Sequence, residues 1–217
     1  MYYPNAHKCV KKLFFAQIAT LIATLLVTVP AVLKAIPGLM DLLPVAIVVG
    51  AFAVIAFVLY LAAFVVGLIG LLQGGKDSDY IRLAFWINIF LIVVSVVVGI
   101  LKAALPGGST VYAFVDAASD VARTAIIVYV ILGVSQLAAS LNNQRLVDRG
   151  RVILFLIIAA FVLSIVANII AHFLYGNAAP IVYGFGIALT VTACVFELIA
   201  DILYFFFLLR AIVVLRK

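Results

Sequence analysis

Six runs in this chain, at residues 10–36, 42–73, 79–105, 110–141, 147–175 and 181–209, are almost wholly apolar, and each exceeds the roughly 20 residues that carry a helix across a hydrocarbon core. Nothing else in the sequence restricts its fold as severely. A backbone crossing lipid must satisfy its hydrogen bonds internally, so open runs of this length fold as helices. Only short connections separate them, which leaves no room for a second domain. The expected fold is all-α: a polytopic integral membrane protein with six transmembrane helices, residues 1–217 forming one membrane domain. Composition agrees, because 69% of the residues are hydrophobic, 10% are charged and the mean hydropathy is +1.41, more apolar surface than a soluble domain can hide. Runs longer than the minimum imply tilt or projection beyond the bilayer.

Glycine and proline punctuate the runs. Pro37-Gly38, Gly74-Gly75, Pro106-Gly107-Gly108 and the Gly176/Pro180 pair mark reversals, as does the polar, basic Asn142-Asn143-Gln144-Arg145 connection. Pro30 falls where the first helix is expected to kink or fray near its far end. Lys8, Lys11 and Lys12 flank the first run as they would in a signal peptide. No small-residue cleavage pattern closes a short apolar region there, so a retained first span is expected.

A net charge of +6 and a pI near 9.4 would suggest nucleic acid for a soluble protein. Here the basic residues sit at the ends of apolar runs, where they report topology, and the expected partner is the lipid bilayer with no nucleic acid. If the runs alternate in direction, eleven of the 14 Lys and Arg fall on one side: the three N-terminal lysines, Lys76 and Arg82, Arg145, Arg149 and Arg151, and Arg210, Arg216 and Lys217. Lys34 and Lys102 fall on the other, and Arg123 lies inside the fourth run. Both termini are therefore expected to be cytoplasmic.

The odd-numbered runs resemble one another. Residues 11–38 (KKLFFAQIATLIATLLVTVPAVLKAIPG), 81–108 (IRLAFWINIFLIVVSVVVGILKAALPGG) and 150–177 (GRVILFLIIAAFVLSIVANIIAHFLYGN) each open on basic residues and close at a glycine turn, and the first two share VLKAIPG and ILKAALPG endings. This suggests three helical hairpins, 8–75, 76–144 and 145–217, around an axis along the membrane normal. Any apolar hairpin with basic ends would look similar, so common ancestry and coincidence both stay open.

The three-hairpin plan resembles mitochondrial carriers in outline, but the P-x-[DE]-x-x-[KR] signature is absent from all three units and the units are too short. Tyr3-Pro4-Asn5 with Lys8, and the turn Gly70-Leu71-x-Gln73-x-Gly75-Lys76-Asp77, resemble bacterial multi-pass, six-helix membrane proteins that carry no assigned activity. That resemblance implies the bacterial cytoplasmic membrane. The same turn matches the G-x-x-x-x-G-K half of a phosphate loop, yet it follows a membrane helix, and Asp77 stands where Ser or Thr is required. It reads instead as a glycine turn into a helix capped by Asp77 or Ser78. No H-E-x-x-H helix, G-x-S-x-G elbow or Cys–His metal spacing occurs, so no enzyme, cofactor or metal site is expected. Cys9 and Cys194 give no expectation of a structural disulfide.

The last run carries Glu197 and Asp201 one helical turn apart, where a membrane helix tolerates few charges. Two carboxylates in a low dielectric oppose joint ionisation, so the pair suits a proton or a cation. Other polar residues also share helical faces: Gln17, Thr20, Thr24 and Thr28; Asp116, Asp120 and Arg123; Ser164, Asn168 and His172; Thr190 and Cys194 with the acids. Each stripe has a structural reading beside the functional one: close packing for the threonine ladder, an interhelical bond or interfacial histidine for Ser164, Asn168 and His172, and the solvated first turns of a long helix for Asp116, Asp120 and Arg123. Counting about 1.5 Å per residue places Gln17, Asn88 and Gln136 in one cytoplasmic layer, with Asp201 nearest to it and Glu197 near the midplane.

The functional expectation is transport or binding of protons, cations or a small solute through the six-helix bundle. Its site comprises Glu197, Asp201, Arg123, Asp120, Asn168 and His172, with Arg123 as counter-charge. The alternative is a non-catalytic membrane scaffold or regulatory subunit that uses buried charges for helix packing. The sequence names no solute, protein partner or oligomer.

Overall fold

The computed structural model describes residues 3–34, 43–104, 109–174 and 180–216. They form six helices: α1 (Pro4–Lys34), α2 (Leu43–Gly74), α3 (Asp79–Ala104), α4 (Ser109–Ser140), α5 (Gln144–Leu174) and α6 (Pro180–Leu215). All six are long and apolar enough to cross a membrane. α1 starts ahead of its apolar run, at Pro4, because proline at the first helical position has a suitable φ and no N–H to satisfy. It continues through Pro30 to Lys34. α6 runs past Arg210 to Leu215, beyond the expected end at residue 209, since Ala211 and Leu215 are buried against the bundle. A basic residue marks the edge of lipid but does not stop a helix.

The α4–α5 connection is capped on both sides. Asn142 takes a left-handed φ of 56°, and N–H groups of Asn142 and Asn143 donate to the carbonyls of Ala139 (3.0 Å) and Ala138 (2.9 Å), a Schellman ending with asparagine in place of glycine. The next residue begins the following helix: Asn143 Oδ1 accepts from the Leu146 N–H at 3.1 Å.

Helices adjacent in sequence pack side by side, α6 returns to α1, and α4 also touches α6. Among the described residues the main apolar core sits at one end of this ring. It joins the start of α1 (Ala6, Cys9, Val10), the α2–α3 junction (Leu71, Ile81, Ala84), the end of α4 (Ile131, Val134) and the end of α6 (Phe207, Leu208). Ile81 is its wedge: a methyl added at Gly74 of α2 would fall 2.8 Å from Ile81 Cγ2, and one at Gly133 of α4 would fall 2.7 Å from Ile81 Cγ1. Any side chain at either glycine would drive the helices apart.

Hydrogen bonds tie the same end together across the sequence. The Asp77 carboxylate, in the α2–α3 turn, accepts from the Ala6 N–H at 2.7 Å and from Asn5 Nδ2 at 2.9 Å, so it caps the N-terminus of α1. This corrects the expectation that Asp77 or Ser78 caps α3 with its side chain. Ser78 takes the cap position there through its carbonyl, which accepts from Arg82 N at 3.0 Å, while its hydroxyl is buried without a protein partner. Tyr3 Oη and Ser140 Oγ share a bond of 2.9 Å, and His7 Nδ1 donates to the Ile212 carbonyl at 3.1 Å. The two motifs at residues 3–8 and 70–77 thus form one joint.

Away from this end the packing thins. Buried side chains outside the core are mostly small, among them Ala23 in α1, Ala56 and Ala63 in α2, Ala160 in α5 and Ala200 in α6. Large apolar side chains point outward on α1, α2, α3 and α5 (Leu25, Phe57, Phe90 and Phe155), a surface far beyond what a water-soluble monomer exposes and suited to lipid.

Asp77 supplies both an acceptor and a negative charge to the first turn of α1. Asp77→Ala should therefore cost about 1–2 kcal/mol, and Asp77→Asn, which keeps one acceptor oxygen, less. Thermal unfolding in detergent checks this, with about 2–4 °C of midpoint per kcal/mol expected for a chain of this size.

Candidate functional site: a charged cavity between α4, α5 and α6

α4 and α6 are the most interior helices, with 33% of their apolar windows buried against 6% for α3. On α4 that burial falls at the end that enters the core (Val130, Ile131, Val134, Leu137, Ala138), and the charged turn of Asp120 and Arg123 lies outside it. On α4, Asp120, Arg123, Thr124 and Ile127 follow i, i+3, i+4, i+7 spacing; on α5, Ile157, Ala160, Phe161 and Ser164 repeat it. The two faces and Asp201 of α6 border one cavity of about 800 Å³. Alanines open it: Ala117, Ala118, Ala160 and Ala200 occupy the lining where larger residues would close the gap. The volume lies in the range of small-ligand sites, roughly 300–1,000 Å³.

Asp120 and Arg123 form an ion pair within α4, with Nη1 and Oδ1 3.7 Å apart and side chains 72% (Arg123) and 68% (Asp120) exposed. A pair so open to its surroundings remains available to a third group. Thr124 is less free, since its hydroxyl donates to the Asp120 carbonyl at 2.9 Å. Asp201 is half-buried in the cavity wall beside the fully packed Ala200. The Asp120–Arg123 pair also borders a groove of about 290 Å³ between α3 and α4, shared with Ser95, Lys102 and Ser119. It therefore stands on the ridge between two recesses.

A further cavity of about 340 Å³ lies among α1, α2, α3, α4 and α6, next to the core residues Leu71, Val130 and Tyr204. Gln17, Thr20, Tyr60 and Asn88 supply its polar lining, without a formal charge. Tyr60 is held there by Thr24, whose hydroxyl lies 2.9 Å from the Tyr60 oxygen. The threonine ladder otherwise bonds to its own helix: Thr24 donates to the Thr20 carbonyl (2.9 Å) and Thr28 to the Thr24 carbonyl (2.8 Å). Ile127 borders both this cavity and the charged one.

Of the residues expected to form the site, Asp120, Arg123 and Asp201 come together in one cavity. The side chains of Glu197, Asn168 and His172 lie outside the described residues, as does that of Asp116. Ser164, the described member of the Asn168 stripe, lines the charged cavity. Of the expected amide layer, Gln17 and Asn88 share the uncharged cavity, whereas Gln136 is exposed and apart from it. Sequence reasoning missed Thr124 and Tyr60. Thr124 was available from its i+4 spacing to Asp120, but Tyr60 in an apolar run carried no signal of its contact with Thr24.

Comparison of the chain with protein-family models, curated proteins and solved structures finds no match.

Proposed function

We propose that this protein binds and moves a proton, cation or small solute through the bundle, with the cavity between α4, α5 and α6 as its site. One observation carries the reading: carboxylates from two helices, Asp120 and Asp201, border the same cavity as Arg123 within apolar helices. Among the described lining residues the charged groups are these two carboxylates and one guanidinium. Carboxylates gathered in apolar surroundings suit a proton or a cation, and the largely exposed Asp120–Arg123 pair is open to a third group. Glu197, one turn before Asp201, adds a further acidic group to the same helix. In this reading the helices form three hairpins, both termini are cytoplasmic and the membrane is the bacterial cytoplasmic membrane. The excess of Lys and Arg at the joined ends of the bundle supports that topology.

The scaffold alternative needs charges that lock helices to one another. The Asp120–Arg123 contact lies within a single helix and is mostly exposed, so that contact does not itself join two helices. A cavity of about 800 Å³ is also poor construction for a part whose purpose is packing.

Purified protein in liposomes with a trapped pH dye, subjected to a pH step under a clamped potential, tests the reading; radioactive sodium uptake is the parallel probe. Asp201→Asn should lower the rate by about tenfold or more, as expected when a group acting in the carrying step is removed, and Asp201→Glu should retain much of it. Unchanged rates in Asp201→Asn, or wild-type rates no higher than those of protein-free vesicles for both probes, would contradict the proposal.

A further inference from the structure

We propose that the groove between α3 and α4 holds a phospholipid by its phosphodiester, with Lys102 and Arg123 as the two cations that bind it. The proposal stands apart from the transport reading. Lys102 and Arg123 border one groove of about 290 Å³, together with Ser95, Gly99 and Ser119. Only residues 105–108 separate α3 from α4, and the two helices pack side by side, so they run in opposite directions along it. A side chain on a helix leans toward the N-terminus of that helix. Lys102, near the end of α3, therefore leans back along the groove, and Arg123 leans along α4 to meet it.

The level of the groove fits a headgroup. The apolar span of α3 ends at Lys102, and that of α4 runs from Ala117 to Ser140. The groove thus straddles one edge of the hydrocarbon layer, beside which lipid phosphates lie. Arg123 sits roughly 9 Å inside Ala117 at about 1.5 Å per residue. From that depth a long basic side chain reaches the interface.

The chemistry is that of a phosphodiester. A guanidinium offers five N–H donors in one plane and an ammonium three, so each can hold a phosphate oxygen beside another partner. Asp120 meets Arg123 at 3.7 Å, too far for a strong hydrogen bond. Its carboxylate weakens the hold on a free anion, and acyl chains supply what is missing. α3 is the least buried of the spans, at 6%, and Val97 and Ile100 beside the groove are exposed apolar surface for a chain to lie along. Nothing lies within 4 Å of a methyl placed on Gly99, so the groove has room at that turn. Basic pockets between membrane helices take phosphate headgroups by this combination.

Native mass spectrometry of the full-length protein released from detergent tests the site, with phosphatidylglycerol and a phosphate-free diacyl glycolipid as probes. The protein should keep one phosphatidylglycerol under conditions that strip the glycolipid. Lys102→Gln combined with Arg123→Gln should lower the bound fraction about tenfold or more, as expected when two charged hydrogen-bond donors are lost. Gly99→Leu keeps both cations but fills the groove, and should lower it as well. Gly50→Leu adds the same bulk at an equally open glycine of α2 and should leave binding unchanged. Equal retention of the two lipids would overturn the proposal, as would full retention in either groove variant or a loss in Gly50→Leu. Release of the lipid by millimolar inorganic phosphate would overturn it in favour of a free anion.

Discussion

In lipid, apolar surface gives helices no reason to associate, so a bundle of apolar helices depends on close packing and on the few hydrogen bonds available to it. This protein concentrates both at one end. Ile81 wedges between Gly74 and Gly133, and Asp77 caps α1 from the α2–α3 turn. The Tyr3–Ser140 and His7–Ile212 bonds bring α4 and α6 to the same joint. A helix N-terminus leaves several N–H groups unsatisfied, and at a membrane edge that need is sharper than in water. Asp77 meets it from a segment some 70 residues away, which turns a capping requirement into a tertiary contact.

A tight joint at one end lets the rest of the bundle stay open. Along α1, α2, α5 and α6 the buried positions outside the core are mostly alanine, which keeps backbones near each other without filling the space between them. Two of these buried alanines, Ala160 of α5 and Ala200 of α6, line the charged cavity, joined by the exposed Ala117 and Ala118 of α4. The charges Asp120, Arg123 and Asp201 border this open recess instead of the packed core.

Much of the fold was legible in the sequence because length and hydropathy alone dictate a membrane helix. The ends were less so. Helix α6 outran Arg210 because Ala211 and Leu215 have a core to enter, which is a tertiary fact. The role of Asp77 was hidden for the same reason: its partners, Asn5 and Ala6, are distant in sequence, and the local pattern pointed to α3. The charged residues of the site were visible as misfits, since Asp120, Arg123 and Asp201 have no place in lipid. Their convergence was not, because it depends on how α4, α5 and α6 are rotated against one another. The uncharged cavity was only half legible: Gln17 and Asn88 stood out by residue type, whereas Tyr60 matters by position.

The central claim is that the cavity between α4, α5 and α6 is wet while the outer faces of the same helices meet lipid. Spin labels at Ala118, on the cavity wall, and at Phe155, 71% exposed on the outside of α5, measure this in bilayers when their relaxation by a water-soluble nickel chelate is compared with that by dissolved oxygen. The account predicts that the chelate dominates at position 118 and oxygen at position 155. Oxygen dominating at both would mean that the charges border lipid or a dry interior, and the account would fail.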